Sequence, residues 1–359
     1  MDSARRVYRL VSSSIERHRR DKVVISTGTA PSDRPTVYFL TPDFDRPSGG
    51  IRVIYRHVDI LNAAGIPAAV LHQEPKFRAT WFPNQTRIAN LSDTIVKRGD
   101  LLVVGELDVD IGSRLPAGTR HVVFNQNAHM TWVRSGEQVT PAYYDKPDLL
   151  GAVVVSRHNE QIVQYAFPRL AVHRIHLSID PVVFRLGDAP RERTLCYMPR
   201  RGGGDARSVL AMLESRGLLR GWTVRALDNL SEQEVGEQLR NTCIFLSLSH
   251  HEGFGLPPAE AMACGAFVVG YHGFSGREFL LPEFSSPVEP GDLLTFARMV
   301  EAALRQESVN PGWCQEKGRQ ASAFIRQACS PEREREDVRD LYAHLLSRVA
   351  PGREHAAQA

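Results

Sequence analysis

The chain has no apolar run of about 18 residues, the length that a membrane-crossing helix needs, and charges stand at its N-terminus where a secretory signal would place its hydrophobic stretch. A cytoplasmic protein is expected. Cysteine is scarce. Cys196, Cys243, Cys264, Cys314 and Cys329 are odd in number, widely spaced and mostly set in apolar runs, with no C-x-x-C pair to suggest zinc or redox chemistry. An excess of one charge is missing too: 44 Lys+Arg against 41 Asp+Glu leave +3, too near neutral for a protein that coats nucleic acid. There is no H-E-x-x-H, and the adjacent His250, His251 and Glu252 lack ligand spacing on a helix, so no metal is expected. The absence of a P-loop, a G-x-S-x-G elbow and a dinucleotide glycine triplet argues against the corresponding enzyme classes, and no cofactor is expected. Neither internal repeats of 20–50 residues nor low-complexity tracts occur.

What is present is an ordinary globular composition, 42% hydrophobic and 24% charged with mean hydropathy −0.26. At 359 residues the chain is about twice the usual single-domain size, so two cores are expected. Residues 1–35 read as a basic extension. Its first 22 residues hold seven basic and three acidic side chains, and a helix there would align Val7, Leu10, Val11 and Ile15. That pattern fits a peripheral contact with an anionic membrane surface, or simply a solvated or self-docked helix.

From Thr36 short apolar runs alternate with segments of helical period, the pattern of βα units around a parallel sheet. Strands are expected at 36–40, 68–72, 100–106, 121–126 and 151–156, with a helix from Ile51 to Ala64 stopped by Gly65. Residues 36–178 thus form a first Rossmann-like domain. The Pro-rich stretch 179–193 reads as a linker, and a second domain follows over 194–335, with strands at 194–198, 222–227, 243–249 and 266–271. Ser231 and Glu234 form a capping box in it. Residues 336–359 are a C-terminal helix and tail that can cross back to the first domain. Two such halves imply a ligand cleft beyond the carboxyl ends of their strands.

The chemistry concentrates in Glu252-Gly253-Phe254-Gly255-Leu256-Pro257-Pro258-Ala259-Glu260. A strand, a glycine loop and a helix with prolines in its first turn aim backbone amides and the positive end of the helix dipole at one spot, an anion site fit for a phosphate or diphosphate. Gly253 and Gly255 let the backbone come close. Glu252 and Glu260 bracket the spot, and carboxylates accept hydrogen bonds from the paired hydroxyls of sugars and ribose; the blander alternative is that both merely favour a helix N-terminus.

EGFGLPPAEAMACG resembles the Glu-x7-Glu signature of retaining GT-B glycosyltransferases, glycosyltransferase family 4 in particular. Ser48-Gly49-Gly50-Ile51, HLSIDPVVF (176–184), a basic segment after Tyr197 and VEPGDLLTFARMV (288–300) extend the likeness over nearly all of the chain after residue 35. The resemblance implies a GT-B fold, an α/β architecture of two Rossmann-like doubly wound domains facing across a cleft, and metal-independent retaining transfer from a nucleoside diphosphate sugar to a saccharide, lipid-linked glycan or other hydroxyl acceptor. It further implies that Glu252 meets the donor sugar, that Glu260 binds the ribose, and that the amides of Phe254, Gly255 and Leu256 lie under the diphosphate and sugar. The family's Arg is matched by Arg200, but no Lys follows it. Arg201 or Arg207 takes that role, and forked guanidinium donors suit phosphate; the alternative is a solvated basic turn. YMPRR looks most like the rhamnosyltransferase-like branch. On the N-terminal side, Gly49 and Gly50 open the first helix where the family's glycine loop approaches the donor phosphates and the acceptor, His129 either stands where the family often presents a His to the sugar or is structural, and Glu106 is placed for an acceptor contact. A catalytically silent nucleotide-sugar-binding subunit would keep the same residues, and a sugar phosphorylase would use inorganic phosphate instead of a nucleotide.

Overall fold

A computed structural model describes residues 20, 22–133, 139–187, 191–200 and 202–349. By internal contacts the chain forms two units, Met1–Val153 with Val163–His173 and Val338–Ala359, and Val154–Ile162 with Arg174–Asp337.

The first unit is built on strands β1 (Thr27–Pro31), β2 (Val37–Leu40), β3 (Ala68–His72), β4 (Ile88–Asn90), β5 (Val96–Arg98), β6 (Leu101–Gly105), β7 (His121–Asn125), β8 (Leu149–Val154) and β9 (Val172–Arg174). Seven of them make a sheet in the order β4-β3-β2-β6-β7-β8-β9, and the pairs from β4 to β7 are parallel. β8 starts two residues before the expected position. Helix α1 (Gly49–Ala63) follows β2 and buries Ile51, Ile54, Val58 and Leu61 at helical spacing. The short α2 (Val109–Ser113) and α3 (Val139–Tyr144) follow β6 and β7, and α4 (Arg157–Ala166) follows β8.

Part of the expected N-terminal extension is built into this unit. β1 pairs in parallel with β5, Val23 and Ile25 are buried, and so is Arg20, whose guanidinium donates to both Asp108 oxygens at 2.8 and 2.6 Å and to the Thr41 carbonyl at 3.3 Å. A forked donor matching a carboxylate makes this burial tolerable. The expected amphipathic helix over 1–22 otherwise lies outside the described residues, Lys22 excepted.

The second unit contains β10 (Thr194–Tyr197), β11 (Thr223–Ala226), β12 (Ile244–Glu252), β13 (Phe267–Phe274) and β14 (Ser285–Val288), all parallel in the order β11-β10-β12-β13-β14. Alternation along the central strands serves two cores, as expected for a sheet covered on both faces. Cys196, Phe245 and Val268 point to one, with α6 (Glu232–Arg240), α7 (Leu256–Ala263) and α9 (Trp313–Ala328). Leu195, Ile244, Leu246 and Val269 point to the other, with α5 (Gly203–Ser215) and α8 (Leu293–Val309). The Ser231–Glu234 capping box opens α6. The stretch read as a linker is packed into this unit: Ile179, Val183 and Phe184 are buried in the first of these cores, and Arg240 holds the Val183 carbonyl at 2.8 Å. Helix α10 (Pro331–Val349) ends the described chain. Its residues from Val338 on belong to the first unit, where Val338, Tyr342 and Leu345 are buried and Tyr342 lies 5.3 Å from Phe39.

Replacing Arg20 by Ala leaves Asp108 buried without its cation, and we expect a loss of about 3–5 kcal/mol in urea unfolding of the first unit. A truncation that ends at residue 19 keeps the pair and should leave that transition in place.

Candidate functional site

In the second unit β10 has β11 on one side and β12 on the other, so strand order reverses between β10 and β12. Ligands of open α/β sheets bind at such a switch point, beyond the carboxyl ends of the strands. The two loops that leave this point are those singled out from sequence. After β10 come Met198, Pro199, Arg200 and Gly202, and after β12 come Glu252, Gly253, Phe254 and Gly255.

The loop after β10 is pressed against β12. A Cβ at Gly202 would fall 2.5 Å from the Leu248 Cβ and 2.8 Å from its carbonyl oxygen, so only glycine lets the two chains approach this closely. Arg200 is exposed in this loop, and Arg207 is exposed on α5 one turn past the helix start. Arg201 lies outside the described residues. A link unseen in the sequence joins the two strand ends: His250 Nε2 meets Asp205 Oδ2, in the first turn of α5, at 2.6 Å.

β12 runs three residues further than its apolar pattern predicts, so Glu252 stands on the strand end rather than in the loop. The pairing with β13 is irregular between Ser249 and Glu252 and resumes with Glu252 opposite Phe274. Phe274 has φ +69°, a conformation that costs a non-glycine residue energy and that collects at functional sites. His158 and His251 stack near its ring at 5.2 and 5.6 Å. Glu252 is thereby paired across the ladder with a residue whose ring carries two stacked histidines.

Beyond Glu252 the chain turns at Gly255, whose φ of +95° caps α7. The Phe254 carbonyl accepts from Ser275 Oγ at 2.9 Å and its ring packs 5.3 Å from Phe279, which holds the loop still. Pro257 and Pro258 carry no N–H, so the amides available at this helix start are those of Leu256 and of Gly255 and Phe254 before it. Glu260 lies one turn on and is only 6% exposed. Gly253, Phe254, Gly255, Leu256 and Glu260 thus share one loop-to-helix junction, which suits an anion at the amides and hydroxyls at the carboxylates.

The remaining expected residues lie in the first unit, whose sheet reverses order between β2 and β6. Gly49 and Gly50 are the first residues of α1, and the Gly50 carbonyl accepts from Gln126 Nε2 at 3.2 Å. His129 is half-buried in a single turn, Ala128–Met130, capped by Asn127. Glu106 follows β6 and accepts from the Gln126 amide at 3.2 Å. Burial, opposed by backbone hydrogen bonds, pushes its carboxyl up to about 7. Sequence alone places Glu106 but carries no sign of this shift, which arises from packing.

Folding also brings together cysteines that the sequence keeps apart. Sγ of Cys243 and Cys314 and a carboxylate oxygen of Glu307 lie within 4.8 Å of one another, the one such group among the described residues. Glu307 uses its two oxygens to accept from the amides of Gly312 and Cys314, each at 2.8 Å, so its visible work is to hold the turn into α9.

Comparison with known proteins agrees with this geometry. Residues 208–317 match the family model described as glycosyl transferases group 1. They are a glycosyl transferases group 1 domain. The matched segment of this domain contains Glu252, Glu260 and the whole of α7. The serotype-specific mannosyltransferase WbdA of Escherichia coli is 36% identical over 101 residues, 28% of this chain, and the match spans 12% of that relative's length. Among solved structures, sucrose-phosphate synthase from Thermosynechococcus elongatus has a TM-score of 0.69 at 15% identity, covering 88% of this chain and 100% of its own. Anabaena Alr3699/HepE, solved in complex with UDP-glucose, has a TM-score of 0.62 at 12% identity, covering 87% and 99%. The architecture around the group 1 domain is the GT-B fold, two Rossmann-like units.

Two outcomes test the site as built. Gly202→Ala should lower stability by about 1–3 kcal/mol through overpacking, whereas Gly204→Ala, with nothing within 4 Å of the added carbon, should not; thermal melts compare them. Because the folded pKa of Glu106 is raised, the native state holds an extra proton between roughly pH 4.5 and 7 and its stability falls with rising pH across that window. Glu106→Gln should remove this slope, being more stable than wild type at pH 8 and gaining no such advantage at pH 4, in urea titrations at both values.

Proposed function

We propose that the chain is a retaining glycosyltransferase that moves a hexosyl or deoxyhexosyl group from a nucleoside diphosphate sugar to a hydroxyl of a saccharide or lipid-linked glycan, in polysaccharide or glycan biosynthesis. One observation carries this reading: the strand order of the second unit sets the Arg200 loop beside Glu252 and the start of α7, with Glu260 one turn further on. The group 1 match, whose span includes Glu252, α7 and Glu260, supports it. So do the E. coli relative, a mannosyltransferase by name, and the UDP-glucose held by the Anabaena structure.

The chemical problem is charge. A departing diphosphate and an oxocarbenium-like sugar develop together, and both require preorganised dipoles and charges more than a reactive group. Arg200, with Arg207 or Arg201 in the place of the missing Lys, faces the diphosphate, and the amides of Phe254, Gly255 and Leu256 meet its oxygens. Glu252 holds the sugar hydroxyls and Glu260 the ribose. Transfer then proceeds on the face that the leaving group vacates, with a diphosphate oxygen taking the acceptor proton; the roles given to these residues need no metal. From the first unit, Gly49 and Gly50 approach the donor phosphates and the acceptor, and His129 faces the sugar. The basic residues 1–22 would bring a lipid-linked acceptor's anionic surface within reach.

The test is a thermal-shift panel of UDP, GDP, dTDP, ADP and CMP. One diphosphate should stabilise the wild type, as a ligand that binds only the folded state must, and should stabilise Glu260→Ala much less. Glu252→Ala should keep most of the shift and lose transfer. A flat panel with the wild type would overturn the assignment.

A further inference from the structure

The first unit holds a cavity of about 310 Å³ lined by Trp132, Pro141, Tyr144, Asp145, Phe167 and Arg169 with their neighbours. Its volume stands at the small end of the range for ligand pockets, about 300–1,000 Å³, and none of the residues assigned to the donor lines it.

Three rings line this cavity in near-parallel planes. Tyr144 and Phe167 stack at 3.9 Å and 9°, and Trp132 lies 6.2 Å from Phe167 at 25°. Trp132 is 44% exposed, so a broad indole surface faces water at a cost that a covering ligand would remove. At the rim the Arg169 guanidinium pairs with Asp145 at 3.0 Å, both side chains largely exposed. One acceptor-only group and one donor-only group stand side by side there. The exposed indole, backed by the stacked Phe167 and Tyr144 rings and with such a rim, matches a pyranose, which presents polarised C–H groups on one face and hydroxyls, each both donor and acceptor, around its edge.

The cavity adjoins the chain segment that carries His129. Trp132 follows His129 by three residues in a chain of tight turns, Met130 N to Asn127 O, Thr131 N to Ala128 O and Val133 N to Met130 O, at 2.9, 3.2 and 3.1 Å. Asn125, the last residue of β7, donates to Thr131 Oγ1 at 2.8 Å and fixes this segment to the strand end. Tyr144 forms the shared wall, because its hydroxyl lies against Asn125 and within the field of the Glu106 carboxylate.

We propose that the cavity beside Trp132 is a saccharide subsite that holds one sugar unit of a glycan acceptor away from the reacting hydroxyl. This rests on the transferase reading, and it narrows the acceptor to one of at least two sugar units. Isothermal titration of mannotriose and maltotriose into wild type, Trp132→Ala and Asp145→Ala, with UDP and GDP in parallel, tests it. At least one trisaccharide should bind the wild type, about tenfold more weakly to Trp132→Ala and severalfold more weakly to Asp145→Ala, while nucleotide binding and melting temperature stay as in wild type. Trisaccharide affinity unchanged in Trp132→Ala overturns the proposal, as does a wild type that binds neither sugar, or a Trp132→Ala protein that loses sugar and nucleotide together. Nucleotide binding without sugar binding defeats the subsite alone. Sugar binding that depends on Trp132, without any nucleotide binding, defeats the transferase reading and leaves a sugar site.

Discussion

The pairing of β10 with β12, with β11 set outside them, is the constraint on which the second unit depends. A sheet that followed chain order would put β11 between β10 and β12 and would hold the Arg200 loop a strand away from Glu252. Hydrogen bonding from Leu195 to Ile244 through Tyr197 to Leu246 sets the register. The bare backbone of Gly202 then lets the loop after β10 sit directly on Leu248. The two strands carry apolar side chains on both faces, so the order is enforced by two cores at once, and a change of order would expose one of them to water.

On the proposed reading this order builds an anion site with carboxylates close by. Carboxylates beside a phosphate are unfavourable unless something offsets them, and three features would do so: the guanidinium groups near β10, the amides at the start of α7, and the hydroxyl-bearing portions of a nucleotide sugar that the carboxylates would bind. The rigidity of the junction matters as much as its charge. The positive φ of Gly255, the Ser275 hydroxyl on the Phe254 carbonyl and the histidines stacked near Phe274 leave little to reorganise when a ligand arrives.

Much of this was legible in the residues. The Glu252–Glu260 segment, with its glycines and prolines, announces a strand, a turn and a helix start, because each residue type there has a narrow range of backbone roles. The helix stop at Gly65 and the Ser231–Glu234 box are local in the same way. The failures have an equally clear cause. β12 overruns its apolar pattern because His250 packs on Tyr271 and pairs with Asp205, partners distant in the chain. The Pro-rich stretch 179–193 looked like a linker by composition, yet Ile179, Val183 and Phe184 are apolar enough to be drawn into a core. Residues 20–31 read as part of a basic extension, and nothing in them predicts that Arg20 pairs with Asp108.

By itself the sequence determined what depends on near neighbours: the central strands of both sheets, the helix stop at Gly65, the capping box at Ser231, that two α/β units form, and that one short segment carries glycines, prolines at a helix start and two glutamates at a spacing of eight. It also determined the absences, from the lack of a long apolar run to the lack of zinc spacing. The tertiary structure alone decided what depends on distant ones. It set the strand order that brings the loop after β10 onto β12, raised the proton affinity of Glu106, locked Arg20 to Asp108, and grouped Trp132, Tyr144 and Phe167 around a cavity. These outcomes rest on burial and on contacts across tens of residues, and no window of sequence contains both partners.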